Sequence, residues 1–272
     1  VNIGFIARYL GQEGFGSYSL ILAFLSIFNI LADFGLYSLM IREISRPGAD
    51  EKKIVSNIFT LRIVILLSFL SLALISIWFF PYQSQVKIGV AIVTIAILFL
   101  SASQVLIGVF QKYLKMGKAA FAEVVGRAIQ LCLSILFIYL DLGFFSILIA
   151  LTIGAFVIFV LNFFFARKYV PLTLAFDFSY WKEALKMAFP IALSIVLTLI
   201  YFKIDSIFLS LGFINRSSNN PISDVGIYNI AYKVLEGLIF FPAMLVGLIM
   251  PFLSKHAFSD REQFKKIFKK TL

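Results

Sequence analysis

Apolar stretches long enough to cross a bilayer follow one another along almost the whole chain, separated by short polar connections. An α-helix rises about 1.5 Å per residue, so about 20 apolar residues span the hydrocarbon layer. The pattern predicts the tail of a first helix over residues 1–10, then spans at roughly 15–40, 54–79, 87–109, 118–140, 143–165, 188–211 and 225–253. Outer-membrane strands would instead alternate over about ten residues, so the reading is an all-α polytopic membrane protein. Pro81 and the run "PYQSQVK" stop the third span, and Asp141 with Gly143 predicts a tight turn between the fifth and sixth. Val1 opens inside a helix with no signal peptide before it, and the chain is expected to be truncated at its front.

Composition agrees, with 61% hydrophobic, 17% aromatic and 14% charged residues in 272, far from the soluble globular average. A net charge of +10 raises the question of nucleic acid, and the placement of Lys and Arg answers it. Assigning alternate loops to opposite sides puts seventeen on one side, in the connections around Arg42 to Lys53, Lys112 to Lys118, Arg167 to Lys186 and Lys255 to Lys270. Only three, Arg8, Lys87 and Arg216, fall on the other. This is the positive-inside distribution of a cell-membrane protein, with the basic side cytoplasmic and the "LGQEGFG" turn outside; no nucleic-acid partner is implied. The single cysteine, Cys132, lies in an apolar segment, so neither a disulfide nor a thiolate metal site is expected. No nucleotide-binding glycine loop, metal cluster or cofactor motif is present, and the one histidine, His256, reads as a solvated residue at a span end. An enzyme is not expected, and no catalytic residue is assigned.

Two short signals recur in the same order. Leu10-Gly11 followed by Gly16-Ser17-Tyr18 matches Leu211-Gly212 followed by Gly226-Ile227-Tyr228, each pair framing an outside turn before a span. Copies running in the same direction imply parallel repeats about an axis along the membrane normal. The expected organisation is one six-helix lobe over 1–165, with its first span partial, a cytoplasmic linker over 166–187, and the first two helices of a second lobe over 188–272. The linker sequence "FDFSYWKEALKMAFP" suits a helix at the interface, with Trp181 at headgroup depth, Lys182 and Lys186 toward anionic lipid, and Pro190 opening the next span.

Ionisable residues inside spans are costly, about 2.5–3.5 kcal/mol each at a helix centre on the insertion scale. Eight qualify: Asp33, Arg62, Glu123, Arg127, Lys203, Asp205, Lys233 and Glu236. Glu123 and Arg127 are four apart and Lys233 and Glu236 three apart, spacings that allow neutralisation within one helix. Lys203 and Asp205, two apart, point to different faces. Arg62 lies near enough to a span end to snorkel to the headgroups, and Asp33 in "LADFGL" can cap a break at Gly35. Taken together, Arg62, Arg127, Lys203 and Lys233 supply cations from four helices, which suits an anionic or phosphate-bearing substrate. Asp33, Glu123, Asp205 and Glu236 are then available to tune those cations or to carry a coupling H+ or Na+.

The residues "ARYLGQEGFGSYSL" and "LADFGLYSLMIREISR" resemble the start of the Wzx-like polysaccharide-biosynthesis flippases of the multidrug/oligosaccharidyl-lipid/polysaccharide (MOP) exporter superfamily. The resemblance rests on Arg8, Leu10, Gly11, Gly16, Tyr18, Asp33 to Leu36 and Arg42-Glu43, and continues through Pro190, Asp205, "VGIYNIAYKV" and "MPFLSK". It implies a MOP-type helical bundle of two six-helix lobes around a cavity that opens to each side in turn. It also implies transport of polyprenyl-diphosphate-linked oligosaccharide to the outer leaflet, among membrane lipids and beside glycan polymerase or ligase machinery. The alternatives are an ion-coupled multidrug exporter of the same superfamily, which would favour acidic cavity residues, and a non-transporting membrane scaffold.

Overall fold

The computed structural model describes residues 2–45, 48–171, 173–211, 224–235 and 237–238, with the backbone alone at 2, 195, 196 and 198–203. Among these the secondary structure is helical, without strands. In order the helices are α1 Asn2–Asp33, α2 Leu36–Ile44, α3 Glu51–Ser76, α4 Ser84–Lys112, α5 Met116–Tyr139, α6 Phe144–Ala166 and α7 Phe178–Ser210, with a 3₁₀ turn at Ile77–Phe79 after α3 and further helix at 224–235. In lipid every backbone N–H and C=O must be satisfied within the segment, which is why such apolar sequence is helical from end to end. Among the described residues five helical stretches are long and apolar enough to cross a membrane: Ile3–Ile44, Glu51–Phe79, Ser84–Lys112, Met116–Tyr139 and Phe144–Ala166.

The breaks fall where glycine permits them. The loop expected after residue 10 is reduced to one residue: Gly11 departs from helical geometry (φ 67°, ψ −174°), and residues 12–14 are already helical. The second expected span divides at Phe34 and Gly35, with φ of 47° and 71°, before α2 begins. At Gly35 an added Cβ would lie 2.9 Å from Ile191 on α7, so only glycine meets both the backbone angle and the space. The turn between α5 and α6 holds Asp141 and Gly143 at positive φ, as the sequence predicts.

Residues Val1–Gly226 form one compact unit, and a second begins at Ile227. In the first, α6 packs along both α4 and α5, while α1 lies against α3, α4 and α7. Its apolar core has two parts. One gathers α1, the C-terminal half of α3, the N-terminal half of α4 and α6 around Ile21, Leu25, Leu66, Val90 and Leu148. The other gathers α2, the start of α3, the end of α4 and the start of α7 around Leu36, Met40, Ile58, Phe110 and Ala184. In the second unit, Tyr228 and Tyr232 stack one helical turn apart, with centroids separated by 5.8 Å.

The connections segregate to two ends. Lys112 pairs with Glu51, Tyr113 donates to Glu51 Oε2 at 2.6 Å, and Lys118 sits 4.5 Å over the Tyr169 ring. The α2–α3, α4–α5 and α6–α7 connections therefore meet at one lysine-rich end. At the other end, Tyr9 donates to Asp141 Oδ1 at 2.7 Å and accepts from the Gly143 N–H at 3.0 Å, and Tyr82 shares a 2.9 Å hydrogen bond with Ser210.

The segment before α7 differs from the sequence expectation. Residues 173–177 are extended, and alternate N–H groups dock on a polar row near the start of α3. Thr173 donates to Ser56 Oγ at 3.4 Å, Ala175 to Thr60 Oγ1 at 3.0 Å and Asp177 to Asn57 Oδ1 at 3.0 Å. The two-residue period of an extended chain presents every second N–H to the same side. Asp177 then caps α7 by accepting from Tyr180 N at 3.0 Å, and its other oxygen lies 3.2 Å from Lys53 Nζ. The helix that follows is continuous through Pro190, so Pro190 lies inside α7 and does not open it. Trp181 is 8% exposed in the second core cluster, with Ala184 and Ala188 on the same face, while Lys182 and Lys186 are exposed. The aromatic ring expected among lipid headgroups is thus a core residue.

This strap makes a direct prediction. Asn57→Ala removes the acceptor for the Asp177 N–H, and pepsin cleavage within 173–177 is expected to rise several-fold over the wild type; unchanged cleavage would mean that the strap holds without these bonds. The Tyr180 N–H, followed by Lys53, keeps the Asp177 carboxyl below the ordinary aspartate range. A depressed carboxylate stabilises the fold above the unfolded value of about 3.9, and that stabilisation is lost as pH falls through the lower folded value. Wild-type cleavage, corrected for pepsin's own pH profile, should therefore stay level down to about pH 5 and rise below about pH 4.

Candidate functional site: a polar layer inside the bundle

Where the two core clusters meet along α3, between Leu61 and Leu66, the chain places Arg62. The residue is 1% exposed, so it does not snorkel to the headgroups. Its Nη2 lies 2.7 Å from Asp33 Oδ1 at the end of α1 and donates to Gln104 Oε1 on α4. Asp33 is therefore a partner for Arg62 and not a cap: α2 begins at Leu36 after Gly35, with no side-chain capping bond. Three helices are pinned together by one guanidinium.

Hydrogen-bonding capacity is left over in this layer. Arg62 Nε and Nη1, Asn29 Oδ1, Ser101 Oγ and Ser103 Oγ are buried without a hydrogen-bond partner. Beside them is an open recess of about 330 Å³, with Asn29, Asp33, Tyr37, Ser38 and Gln104 as its polar wall. Ile30 and Ile107 supply the apolar part of the lining. Tyr37, on its wall, donates to Gln111 Oε1 at 3.1 Å.

Glu123 and Arg127 form a separate pair. Arg127 Nε bonds Glu123 Oε1 at 2.9 Å, an i, i+4 pair on α5 whose side chains are about half exposed, at 50% and 46%. Arg127 Nη1 also reaches Gln130 Oε1 at 3.0 Å, so its hydrogen-bond partners are on its own helix. Asp205 is exposed on α7, and Lys233 is exposed in the second unit; both have interaction partners. The side chain of Lys203, and the whole of Glu236 and His256, lie outside the described residues. Among the described residues no cluster of His, Cys, Asp or Glu has the form of a metal site.

Attention to charge alone overlooked Asn29, Tyr37, Ser38 and Gln104. Their signal was present: Asn29 and Asp33 are four apart on one helical face, and "SASQ" interrupts an otherwise apolar α4. A further approach joins the two copies of the repeated glycine signal. A Cβ added to Gly226 would lie 2.8 Å from Gln12 O and 3.3 Å from Gly16 N, so these backbones touch.

Comparison with known proteins adds a family to this geometry. The family described as polysaccharide biosynthesis protein matches residues 1–256. No curated protein and no solved structure matches the chain. Members of the family are generally transporters rather than enzymes. With a match over nearly its whole length and several membrane-crossing helices, the chain belongs to the polysaccharide biosynthesis protein family of Wzx-like flippases in the MOP superfamily, and its role is membrane transport in polysaccharide synthesis.

Proposed function

We propose that this protein moves a polyprenyl-diphosphate-linked oligosaccharide, a precursor of O-antigen, capsule or teichoic-acid type, from the cytoplasmic to the outer leaflet of the cell membrane by alternating access. The observation that carries the proposal is the buried ion pair of Asp33 and Arg62, with Gln104, beside an open recess in the bundle. Polar and ionised groups at that depth are costly, and they mark the path of a polar solute. The glycan headgroup passes along this path while the polyprenyl chain stays in lipid. Arg127, Lys203 and Lys233 are the cations assigned to the diphosphate or to sugar acids, while Arg62 holds the layer together through Asp33 and Gln104; Glu123, Asp205 and Glu236 tune the cations or, with Asp33, carry a coupling H+ or Na+.

Two further observations support this reading. The meeting of three lysine-bearing connections at one end suits a cytoplasmic face under the positive-inside rule. The backbone approach of Gly16 to Gly226 suits a repeat axis passing between equivalent positions of two lobes. Because residues 173–177 are tied to α3, bending toward a second lobe falls on α7 at Pro190, which lacks an N–H to donate.

The test is translocation of a labelled polyprenyl-diphosphate oligosaccharide by the protein in liposomes. Arg127→Ala and Lys233→Ala are each expected to slow transport about tenfold or more, the equivalent of about 1.4 kcal/mol. Transport by the wild type that ignores both substitutions would make those residues structural ion pairs. No transport of the lipid-linked glycan alongside export of an organic cation would replace the proposal with an ion-coupled multidrug exporter. No transport of either would leave a membrane scaffold.

A further inference from the structure

We infer that the recess beside the Arg62–Asp33 pair is a subsite for one neutral sugar ring of the transported headgroup, and not a diphosphate site. The inference rests on the flippase reading and specifies which part of the substrate this place takes. The neighbouring cation is turned away from the role of phosphate ligand. Arg62 spends Nη2 on Asp33 and Gln104, its remaining nitrogens are sealed from solvent, and it is absent from the recess wall. The acidic group on that wall is Asp33, already paired with Arg62, and among the described residues no Lys or Arg lines the recess to hold a phosphate.

What the recess offers is a demand for hydroxyl donors. Asn29 Oδ1 is a buried acceptor without a hydrogen-bond donor, and a buried acceptor left unsatisfied is a standing cost that a ligand O–H removes. Gln104 has its oxygen on Arg62, so its amide N–H groups are what it can present. The Tyr37 hydroxyl, having donated to Gln111, has its lone pairs left. Ser38 both donates and accepts. A pyranose matches this set because each of its hydroxyls is donor and acceptor at once, while its C–H faces suit Ile30 and Ile107. The volume of about 330 Å³ is near the lower end of the roughly 300–1,000 Å³ typical of small-molecule sites, room for a monosaccharide unit and not for a whole oligosaccharide. A lipid acyl chain is a poor occupant, since it would leave Asn29 Oδ1 unpaired and offer nothing to the Gln104 N–H groups.

The purified protein in detergent is mixed with methyl glucopyranoside, and saturation-transfer NMR reads the proximity of protein and ring protons. The wild type is expected to transfer saturation to the ring. Asn29→Leu removes the orphan acceptor without breaking a hydrogen bond of the fold, so it should keep the wild-type Tm while binding the glycoside about tenfold more weakly. Ser38→Ala, on an exposed position, should weaken binding in the same direction. Inorganic pyrophosphate, followed by its ³¹P linewidth, should leave the glycoside signal unchanged. A wild type that transfers nothing to the glycoside, a signal displaced by pyrophosphate, or binding unaffected by either substitution would overturn the sugar subsite. The two readings separate in the liposome assay. Translocation of lipid-linked oligosaccharide without glycoside binding sinks the subsite alone. Glycoside binding that Asn29→Leu abolishes, with no translocation by the wild type, sinks the flippase reading alone.

Discussion

Arg62→Met is expected to destabilise the protein by about 3–5 kcal/mol, because it leaves the Asp33 carboxylate at the end of α1 without its countercharge. The size follows from burial. The Arg62 side chain is 2% exposed and that of Asp33 20%, so water replaces little of what the guanidinium supplies, and Gln104 Oε1 loses its donor as well. Asp33→Asn alone should also destabilise, since it strands the cation in the same place. The double variant Arg62→Met with Asp33→Leu should recover much of the loss, because removing both charges removes the desolvation cost of each. Thermal unfolding in detergent is the measurement: the single variants should lose on the order of ten degrees of Tm, and the double variant less than either. Single variants within about 0.5 kcal/mol of wild type, the range of an ordinary surface substitution, would mean that the pair contributes nothing to the fold.

The second large effect is expected at the crossing of α5 and α6. A Cβ added to Gly126 would overlap Ile158 Cγ1 and stand 2.9 Å from the Gly154 carbonyl oxygen. One added to Gly154 would stand 2.8 Å from Gln130 Cβ and 3.0 Å from the Gly126 carbonyl oxygen. Each glycine faces the backbone of the other helix, which is how membrane helices approach closely when no hydrophobic force drives them together. A side chain can shift to a new rotamer, but a backbone carbonyl moves only with its helix. Gly126→Val and Gly154→Val should therefore cost about 1–3 kcal/mol or more each, and together less than the sum, because the first already separates the helices. A double-mutant cycle in Tm checks this. A fully additive pair, or single variants with wild-type Tm, would show that the two positions do not share one crossing point.

These two sites respond oppositely to the same kind of experiment. Restoring charge balance without Arg62 can rebuild the first, since the polar layer is held by electrostatics among side chains. No second substitution at Gly126 or Gly154 restores the crossing, since the obstruction there is backbone. The α5–α6 crossing is therefore set by backbone contact, and the Asp33–Arg62 layer by side-chain charge.

Much of the fold was legible along the chain. The apolar runs locate the helices because the cost of an unpaired backbone group in lipid makes helix the default wherever hydrophobicity persists. Asp141 and Gly143 mark a turn, and the break at Gly35 follows from a glycine after "LADF"; both are local properties of a few residues. The i, i+4 pair of Glu123 and Arg127 is equally local and is present as its spacing implies. Tertiary structure decided the rest, because it depends on helices meeting across long stretches of sequence. It set Asp33 on Arg62 and Gln104 where the sequence allowed a cap or a snorkelling arginine. It carried α7 through Pro190, turned Trp181 into the core, and tied alternate N–H groups of residues 173–177 to Ser56, Asn57 and Thr60. Spacing along one helix assigns a residue to a face; which neighbour that face meets is set by the register and crossing of packed helices, and only the folded chain holds that information.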